Sequence, residues 1–568
     1  MEFLRKKRIV QTFYLFLILL IPIMAKLIDV QIYHGSEYAH KALEQRSIKV
    51  VLEDIPRGDI LDRNLKSLTG SGLQNKIVVF PTIMDNPQQV ADQLAAVLKV
   101  SASEVLKEFA NGSGILPYNP NIEQISTITA QQWDGVMVLP VQYRYQREPM
   151  AAHLIGHLGS IPSQEVLEQL AVETNKSYQL GDLIGKMGLE KYYETELKST
   201  KPERLIRTFT DAAGTMLAGM GMKLEINQPD PGRQHLVTTI DYNIQSTVEK
   251  VMDKHIQQGA VVVMDVNTGD VVAMASRPNY NPANVSNVLA TASADTFIDH
   301  CTSLYQPGSI FKLVVAAAAL EEGIVSLDST FVCLGEHAEL VNCWHHSGHG
   351  PITFDQAFAQ SCNPVFAELA LKLGPEKIIE YAKKLGLDKQ IIIGYPIPPD
   401  RRQNLKLIAE PYNLVNSSIG QGPVLATPMQ LTAMMNCIVN DGAYIPPRVV
   451  IGLQQTDGTI TKRFAPGNSH RAISPQTVVQ IKQLLTLVVK DGVGKKAAIA
   501  DIGSAGKTGS AEVAGQQQVN AWFCGYAPVN NPRYVVTVLV EHGESGGETA
   551  APVFKEIMEK TLAPASVD

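Results

Sequence analysis

Cysteine is scarce. Six residues in a chain of 568 cannot form a disulfide scaffold. Basic charge is not in excess either. A formal net charge of −7 gives no electrostatic footprint for nucleic acid, so a nucleic-acid binder is not expected. Past residue 28 no stretch is apolar enough to cross a bilayer, which excludes a many-span transporter. What remains is ordinary for a globular protein, with 45% apolar and 18% charged residues. At this length two or more domains with sizeable cores are expected.

The N-terminus carries the compartment signal. Arg5, Lys6, Lys7 and Arg8 precede Ile9–Ala25, seventeen residues without a charge. As a helix these span roughly 26 Å, enough for a thin hydrocarbon core if Lys26 snorkels. The basic flank predicts a cytoplasmic tail (1–8), an anchor (9–28) and an extracytoplasmic body. A cleaved signal peptide is the rival. It is disfavoured because Ile23-Met24-Ala25 is a poor small-x-small site and Pro22 lies inside the apolar run.

Leu27–Arg46 reads as a helical stalk, and Ile48–Val51 as extended. PRGDILDRN (residues 56–64) carries four charges and, by itself, reads as a salt-bridged loop. Asn86–Glu108 is helical and amphipathic, and Gly188–Leu197 reads as a helix. His153 and His157 could share a helix face as ligands, but with no acidic or thiol partner nearby they read as packing histidines. NQPDPG (residues 227–232) is a linker. Beyond it Tyr242–Gln257 is a helix capped by Asp241. Gly259–Asp265 and Asp270–Ser276 form a hairpin around NTG. Gly506–Val513, Ala521–Pro528 and Tyr534–His542 close the chain as strands, and Ala551–Leu562 is a last helix. Strands open and close this part and helices fill its middle. The expected fold class is α+β: an antiparallel sheet flanked by helices, preceded by a mixed α/β pedestal and a transmembrane helix.

Residues 305–320 read YQPGSIFKLVVAAAAL. The helix is apolar all round and therefore buried. Ser309 and Lys312 fall on one face of its first turn. Ser309 could be a plain N-cap, but a capping box wants Glu or Gln at the third position. Lys312 instead puts a cation at the positive end of the dipole, where burial lowers its pKa. A lysine able to lose its proton beside a serine is a base beside a nucleophile. Ser361-Cys362-Asn363 precedes an apolar helix, and Lys507-Thr508-Gly509-Ser510 lies on a late strand. There Gly506 and Gly509 leave an edge that a substrate backbone could approach. The separations are 361 − 309 = 52 and 507 − 361 = 146 residues.

Ser-x-x-Lys, Ser-x-Asn and Lys-Thr-Gly in this order carry the penicillin-binding signature. The chain resembles a class B penicillin-binding protein, a membrane-anchored peptidoglycan transpeptidase. PRGDILDRN, HLIGHLG, GLEKYYETEL, TTIDYNIQ and SIGQGPVLATPMQL resemble further landmarks of that family, though KTGS stands where KTGT is commoner. The resemblance implies a stalk and pedestal (29–232) and a transpeptidase domain (233–568). It implies Ser309 as nucleophile, Lys312 as base and Ser361 as proton relay. Asn363 would hold Lys312 and the substrate amide. Lys507 and Thr508 would hold the substrate's terminal carboxylate, and the backbone N–H groups of Ser309 and Ser510 would hold the oxyanion. It also implies peptidoglycan stem peptides as substrates, β-lactams as inhibitors and a membrane-embedded glycan polymerase as partner. No cofactor is required for the chemistry. No glycosyltransferase domain is evident, and no accessory domain is expected after the last helix. A D,D-carboxypeptidase, a β-lactam-sensing or β-lactam-hydrolysing enzyme and a polymerase scaffold are the alternatives.

One window stands apart. Cys333, Cys343, His349 and Cys362 have the spacing C-x9-C-x5-H-x12-C, and the last thiol lies inside the Ser-Cys-Asn motif. The loop is poor in apolar periodicity. Three thiolates and an imidazole suit structural zinc. A Cys333–Cys343 disulfide, or simple buried thiols, are the other readings.

Overall fold

The computed structural model describes residues 2–45, 47–70, 72–145, 148–211, 222–228, 230–397, 402–513 and 518–563. The chain forms two compact units that do not follow a single cut. The first comprises residues 1–56, 72–143 and 201–230, the second 57–71, 144–200 and 231–568.

In the first unit, helix α1 (Glu2–Ile28) is the one helix among the described residues that is long and apolar enough to cross a membrane. Pro22 lies inside it. The expected helical stalk is broken by a π turn at Asp29–Tyr33 and continues as Gly35–Gln45. A three-stranded sheet of Gly114–Ile115, Gly72–Val79 and Val136–Tyr143 follows. The region 86–108 is two helices rather than one, Pro87–Leu98 and Ala102–Ala110. Lys99 adopts left-handed φ 59°, and Ser101 caps the second helix.

The second unit holds the expected antiparallel sheet. Its strands are β1 (Gly259–Asp265), β2 (Val271–Arg277), β3 (Ala505–Glu512), β4 (Val519–Ala527) and β5 (Tyr534–Gly543), in the spatial order β2-β1-β5-β4-β3. Successive side chains point to opposite faces. Ala260, Val262 and Met264 face one core, and Val261 and Val263 the other. Both faces are covered, so the strand reads as a continuous apolar run instead of alternating. One core carries helices α3 (Lys312–Glu321), α4 (Asn363–Leu373) and α5 (Pro428–Val439). The other carries α2 (Tyr242–His255) and α6 (Ala551–Leu562). The segment between the linker and α2 forms the strand Gln234–Thr238, in a separate sheet beside Ile60–Leu61 and Val450–Gln455.

The sequence landmarks of this unit meet. Arg57 Nε and Nη1 donate to Glu190 and Glu194 at 3.1 and 2.8 Å, and Arg144 Nε donates to Glu190 at 2.6 Å. Thus PRGDILDRN and GLEKYYETEL are joined by buried ion pairs, and the second is two short helices bent at Tyr193. Asp62 accepts from the Tyr242 N–H at 3.1 Å, at the start of α2. Asp270 of the hairpin pairs with Arg448 at 2.6 and 2.9 Å. His153 and His157 are buried and packed around Tyr280, with His153 Nε2 2.9 Å from the Thr296 carbonyl.

Candidate active site

The turn Gly308–Phe311 is 3-10 and runs into α3, in which every residue from Lys312 to Leu320 is buried. Ser309 therefore stands on the tighter turn at the cleft, while Lys312 lies one turn deeper. Two glycines permit this approach. Gly308 has φ +56°, and a Cβ there would lie 2.9 Å from the Ser510 carbonyl oxygen. A Cβ on Gly509 would lie 2.6 Å from the Pro307 carbonyl oxygen. The missing side chain at Gly509 admits the turn that carries Ser309, and Gly506 packs against Phe523. Both stand on β3, the edge strand of the sheet.

Lys312 Nζ donates to the Ser361 carbonyl at 2.7 Å, to Ser361 Oγ at 3.2 Å and to Asn363 Oδ1 at 2.7 Å. None of its hydrogen bonds reaches Ser309. All three acceptors are uncharged. Burial pushes the lysine pKa down to about 7, with nearby thiols pulling weakly the other way. A large fraction of the amine is therefore neutral at neutral pH and able to take a proton. Ser361 holds left-handed φ 53°, a costly conformation for a serine, and this aims its carbonyl and hydroxyl at the amine. Asn363 is oriented from its other end, where Nδ2 donates to the Asn342 carbonyl at 3.1 Å.

Ser309, Ser361, Asn363, Thr508 and Ser510 line one cleft of about 480 Å³. Lys507 and Gly509 do not. Lys507 is fully buried behind the wall, its Nζ 3.3 Å from the Thr508 carbonyl, and burial followed by the charge of Lys312 holds its pKa far down. Ser510 Oγ accepts from the Gly546 N–H at 3.0 Å, which fixes the end of the KTGS segment. Trp344, Gln421 and Glu512 also line the cleft, and sequence reasoning assigned them no role. Gln421 lay within a recognised landmark. Trp344 carried no pattern of its own. Its indole N–H donates to the Gln360 carbonyl at 2.9 Å, beside Ser361.

The loop bearing Trp344 holds the four sulfur and imidazole candidates. One ligand atom from each of Cys333, Cys343, His349 and Cys362 lies within 4.8 Å of the others. All the cysteines are free, including Cys333 and Cys343. Cys343 Sγ is 3.6 Å from His349 Nδ1, and His349 Nε2 is buried with no hydrogen-bond partner. A hydrogen bond from Cys362 pushes the Cys343 thiol down to about 4, while the same contact and burial push Cys362 up.

A buried lysine of lowered pKa, bonded to Ser361 behind a cleft that Ser309 lines beside an antiparallel strand, fits a serine acyltransferase site. Residues 259–559 match the penicillin-binding protein transpeptidase domain, and residues 53–234 the penicillin-binding protein dimerisation domain. The chain is 29% identical to stage V sporulation protein D of Bacillus subtilis, over 98% of this chain and 85% of that protein. It is 26% identical to the peptidoglycan D,D-transpeptidase MrdA of Acinetobacter baumannii, over 95% of this chain and 86% of that one. Its fold follows a chain solved in a peptidoglycan synthase complex, with a TM-score of 0.71 and 21% identity over 99% of this chain and 100% of that one. The chain belongs to the penicillin-binding protein transpeptidase family, as a class B member with a dimerisation domain ahead of the catalytic one. It is a serine-type peptidoglycan D,D-transpeptidase of cell wall synthesis.

Proposed function

We propose that this chain cross-links peptidoglycan stem peptides through an acyl-enzyme on Ser309. The observation that carries the assignment is the convergence of Ser309, Ser361, Asn363, Thr508 and Ser510 on one cleft, with a lysine of pKa about 7 behind it. Ser309 Oγ attacks the carbonyl carbon of the penultimate D-alanine. Its proton passes to neutral Lys312, for which the Ser361 hydroxyl at 3.2 Å is a ready relay. The backbone N–H groups of Ser309 and Ser510 hold the tetrahedral oxyanion. The C–N bond breaks, and the terminal D-alanine leaves with the proton returned through Ser361. An amine of a second stem peptide then attacks the ester, frees Ser309 and forms the cross-link. Thr508 hydrogen-bonds the donor's terminal carboxylate. The anion raises the pKa of buried Lys507, which then serves it as a cation. A β-lactam carbonyl is trapped at the same serine.

The further assignments are a cytoplasmic tail (1–8), a membrane anchor (9–28), an extracytoplasmic pedestal (29–232) and a transpeptidase domain (233–568). The basic residues ahead of α1 support this orientation. A membrane-embedded glycan polymerase is the partner, supported by the likeness to a chain from a synthase complex. Cys333, Cys343, His349 and Cys362 hold a structural zinc. The fit rests on the donor set and on ligand atoms within 4.8 Å of one another, with His349 Nδ1 facing Cys343 Sγ. Zinc when bound ties the Trp344 loop to the turn before Asn363 and takes no part in the chemistry.

Mass spectrometry of the full-length chain in detergent after penicillin tests the acyl-enzyme. One penicilloyl adduct is expected, and none on Ser309→Ala with an unchanged melting curve; labelling of that variant overturns the nucleophile. A stem-peptide donor with an amine acceptor is expected to give transfer product above hydrolysis product. Elemental analysis is expected to give one zinc per chain. A zinc-free protein with two fewer titratable thiols before reduction replaces the metal with a disulfide.

A further inference from the structure

Tyr305 lies four residues before Ser309 and outside the named motifs. Its N–H donates to the Ala426 carbonyl at 3.0 Å, and its own carbonyl accepts from the Ala426 N–H at 2.8 Å. Trp522 Nε1 donates to the Gln306 carbonyl at 3.1 Å, and Gly308 N–H to the Gly420 carbonyl at 3.0 Å. The backbone before Ser309 is thus held at three successive places.

The Tyr305 side chain leads elsewhere. Its hydroxyl donates to Glu541 Oε1 at 3.0 Å, and His300 Nδ1 lies 2.8 Å from the same oxygen. The hydroxyl and the imidazole also touch each other. The imidazole nitrogen thus hydrogen-bonds the hydroxyl that in turn donates to the carboxylate, a chain from His300 through Tyr305 to Glu541. The His300 side chain is 2% exposed, and its Nε2 is buried with no partner. Burial, and then Glu541, push the Tyr305 hydroxyl pKa up, so it stays a donor.

A carboxylate only 12% exposed, with two polar partners, is costly beside plain apolar packing. Its position explains its presence. Glu541 stands near the end of β5, shortly before Gly546, whose N–H holds Ser510 Oγ. Tyr305 stands edge-on to Trp522 at 6.1 Å, and Trp522 is the cross-strand partner of Gly509. The three side chains therefore join the turn carrying Ser309 to the strands that present Ser510. None of them lines the cleft.

We propose that His300, Glu541 and Tyr305 form a positioning cluster that sets the spacing between the Ser309 hydroxyl and the Ser510 N–H for acyl transfer. The proposal rests on the reading of Ser309 as nucleophile and Ser510 N–H as oxyanion donor. A displacement of the order of 1 Å at such a site costs about a hundredfold in rate. Removing one hydroxyl or one charge from this cluster shifts the turn without touching the substrate.

The test is stopped-flow acylation of the full-length chain in detergent by a chromogenic cephalosporin, resolving the acylation rate constant from the non-covalent Kd. Tyr305→Phe, Glu541→Gln and His300→Ala are each expected to slow acylation about tenfold to a hundredfold, with Kd and melting temperature little changed. His300→Asn, whose amide N–H can stand where Nδ1–H stood, is expected to recover most of the rate. Tyr305→Phe combined with Glu541→Gln is expected to be no slower than the slower single variant, because both remove one interaction. An unchanged rate constant in Tyr305→Phe overturns the proposal, as does a loss of rate that merely follows the loss of folded protein. Ser309→Ala runs in parallel. Acylation surviving there overturns the nucleophile assignment itself, a failure distinct from that of the cluster.

Discussion

Two of the places where the second unit buries charge treat it in opposite ways. Around Glu190, two arginines and two glutamates are sealed together, with side chains 0–9% exposed. Burial pushes the Glu190 carboxyl up, but Arg144 and Arg57 outweigh it and hold it below the usual range. Around Lys312 and Lys507 two amines are buried just as deeply. Lys312 meets only uncharged oxygens, and the Lys507 hydrogen bond goes to a backbone carbonyl. Their pKa values fall. The difference lies in the partner. A buried ion with a counter-ion stays an ion and ties segments together, whereas a buried amine without one becomes a base.

The largest expected break in this symmetry is Lys312→Met. Acylation by penicillin should fall by about 10²–10⁴-fold, the usual contribution of a general base, while the melting temperature holds or rises. Stopped-flow labelling and calorimetry measure the two. Arg57→Met should do the reverse. Leaving Glu190 and Glu194 short of a counter-ion should cost about 3–5 kcal/mol of stability, with the acylation rate per folded molecule unchanged. Denaturant unfolding followed by active-site titration checks it. A slower rate in the folded fraction would show that the ion network reaches the cleft.

The smaller effects are those of pH. Lys312 must be neutral to accept a proton, and its pKa is about 7, so acylation should reach a plateau above that value. At pH 6 it should fall to about a tenth of the plateau. The two sites should also mark stability in separate windows. The folded Lys312 pKa is lowered from 10.5, so the unfolded chain binds more protons between about 7 and 10.5, and stability rises with pH there. The Glu190 pKa is lowered from 4.5, so its contribution is present above that value and is lost as acid is added. Urea titrations across pH, with Lys312→Met and Glu190→Gln as references, should reduce the alkaline and the acid slope respectively, with Lys507 keeping the rest of the alkaline one.

Much of the catalytic half is legible along the chain because its signals are local. An apolar run such as GAVVVMD marks a strand covered on both faces, and Ser309 and Lys312 share a face through helical spacing alone. The helix 86–108 was misread because its apolar pattern continues across a break that only the left-handed Lys99 reveals. PRGDILDRN reads as a loop with salt bridges of unknown partners, since Glu190 and Glu194 lie 133 and 137 residues away. The bare glycines of the KTGS strand were read for a substrate alone, because the sequence holds no record that Gly509 also admits the Pro307 turn.

The chain by itself determined the long apolar N-terminal helix, the sheet, and the identity and order of Ser309, Lys312, Ser361, Asn363 and Lys507, because composition, periodicity and short spacings are written in neighbouring residues. Tertiary structure alone decided that Lys312 bonds Ser361 and Asn363, that Lys507 lies behind the cleft, and that Trp344 and Glu512 border it. The same holds for the meeting of His300, Tyr305 and Glu541. Each of these depends on how far a side chain is taken out of water and which oxygen it then meets, and both are set by segments up to hundreds of residues apart.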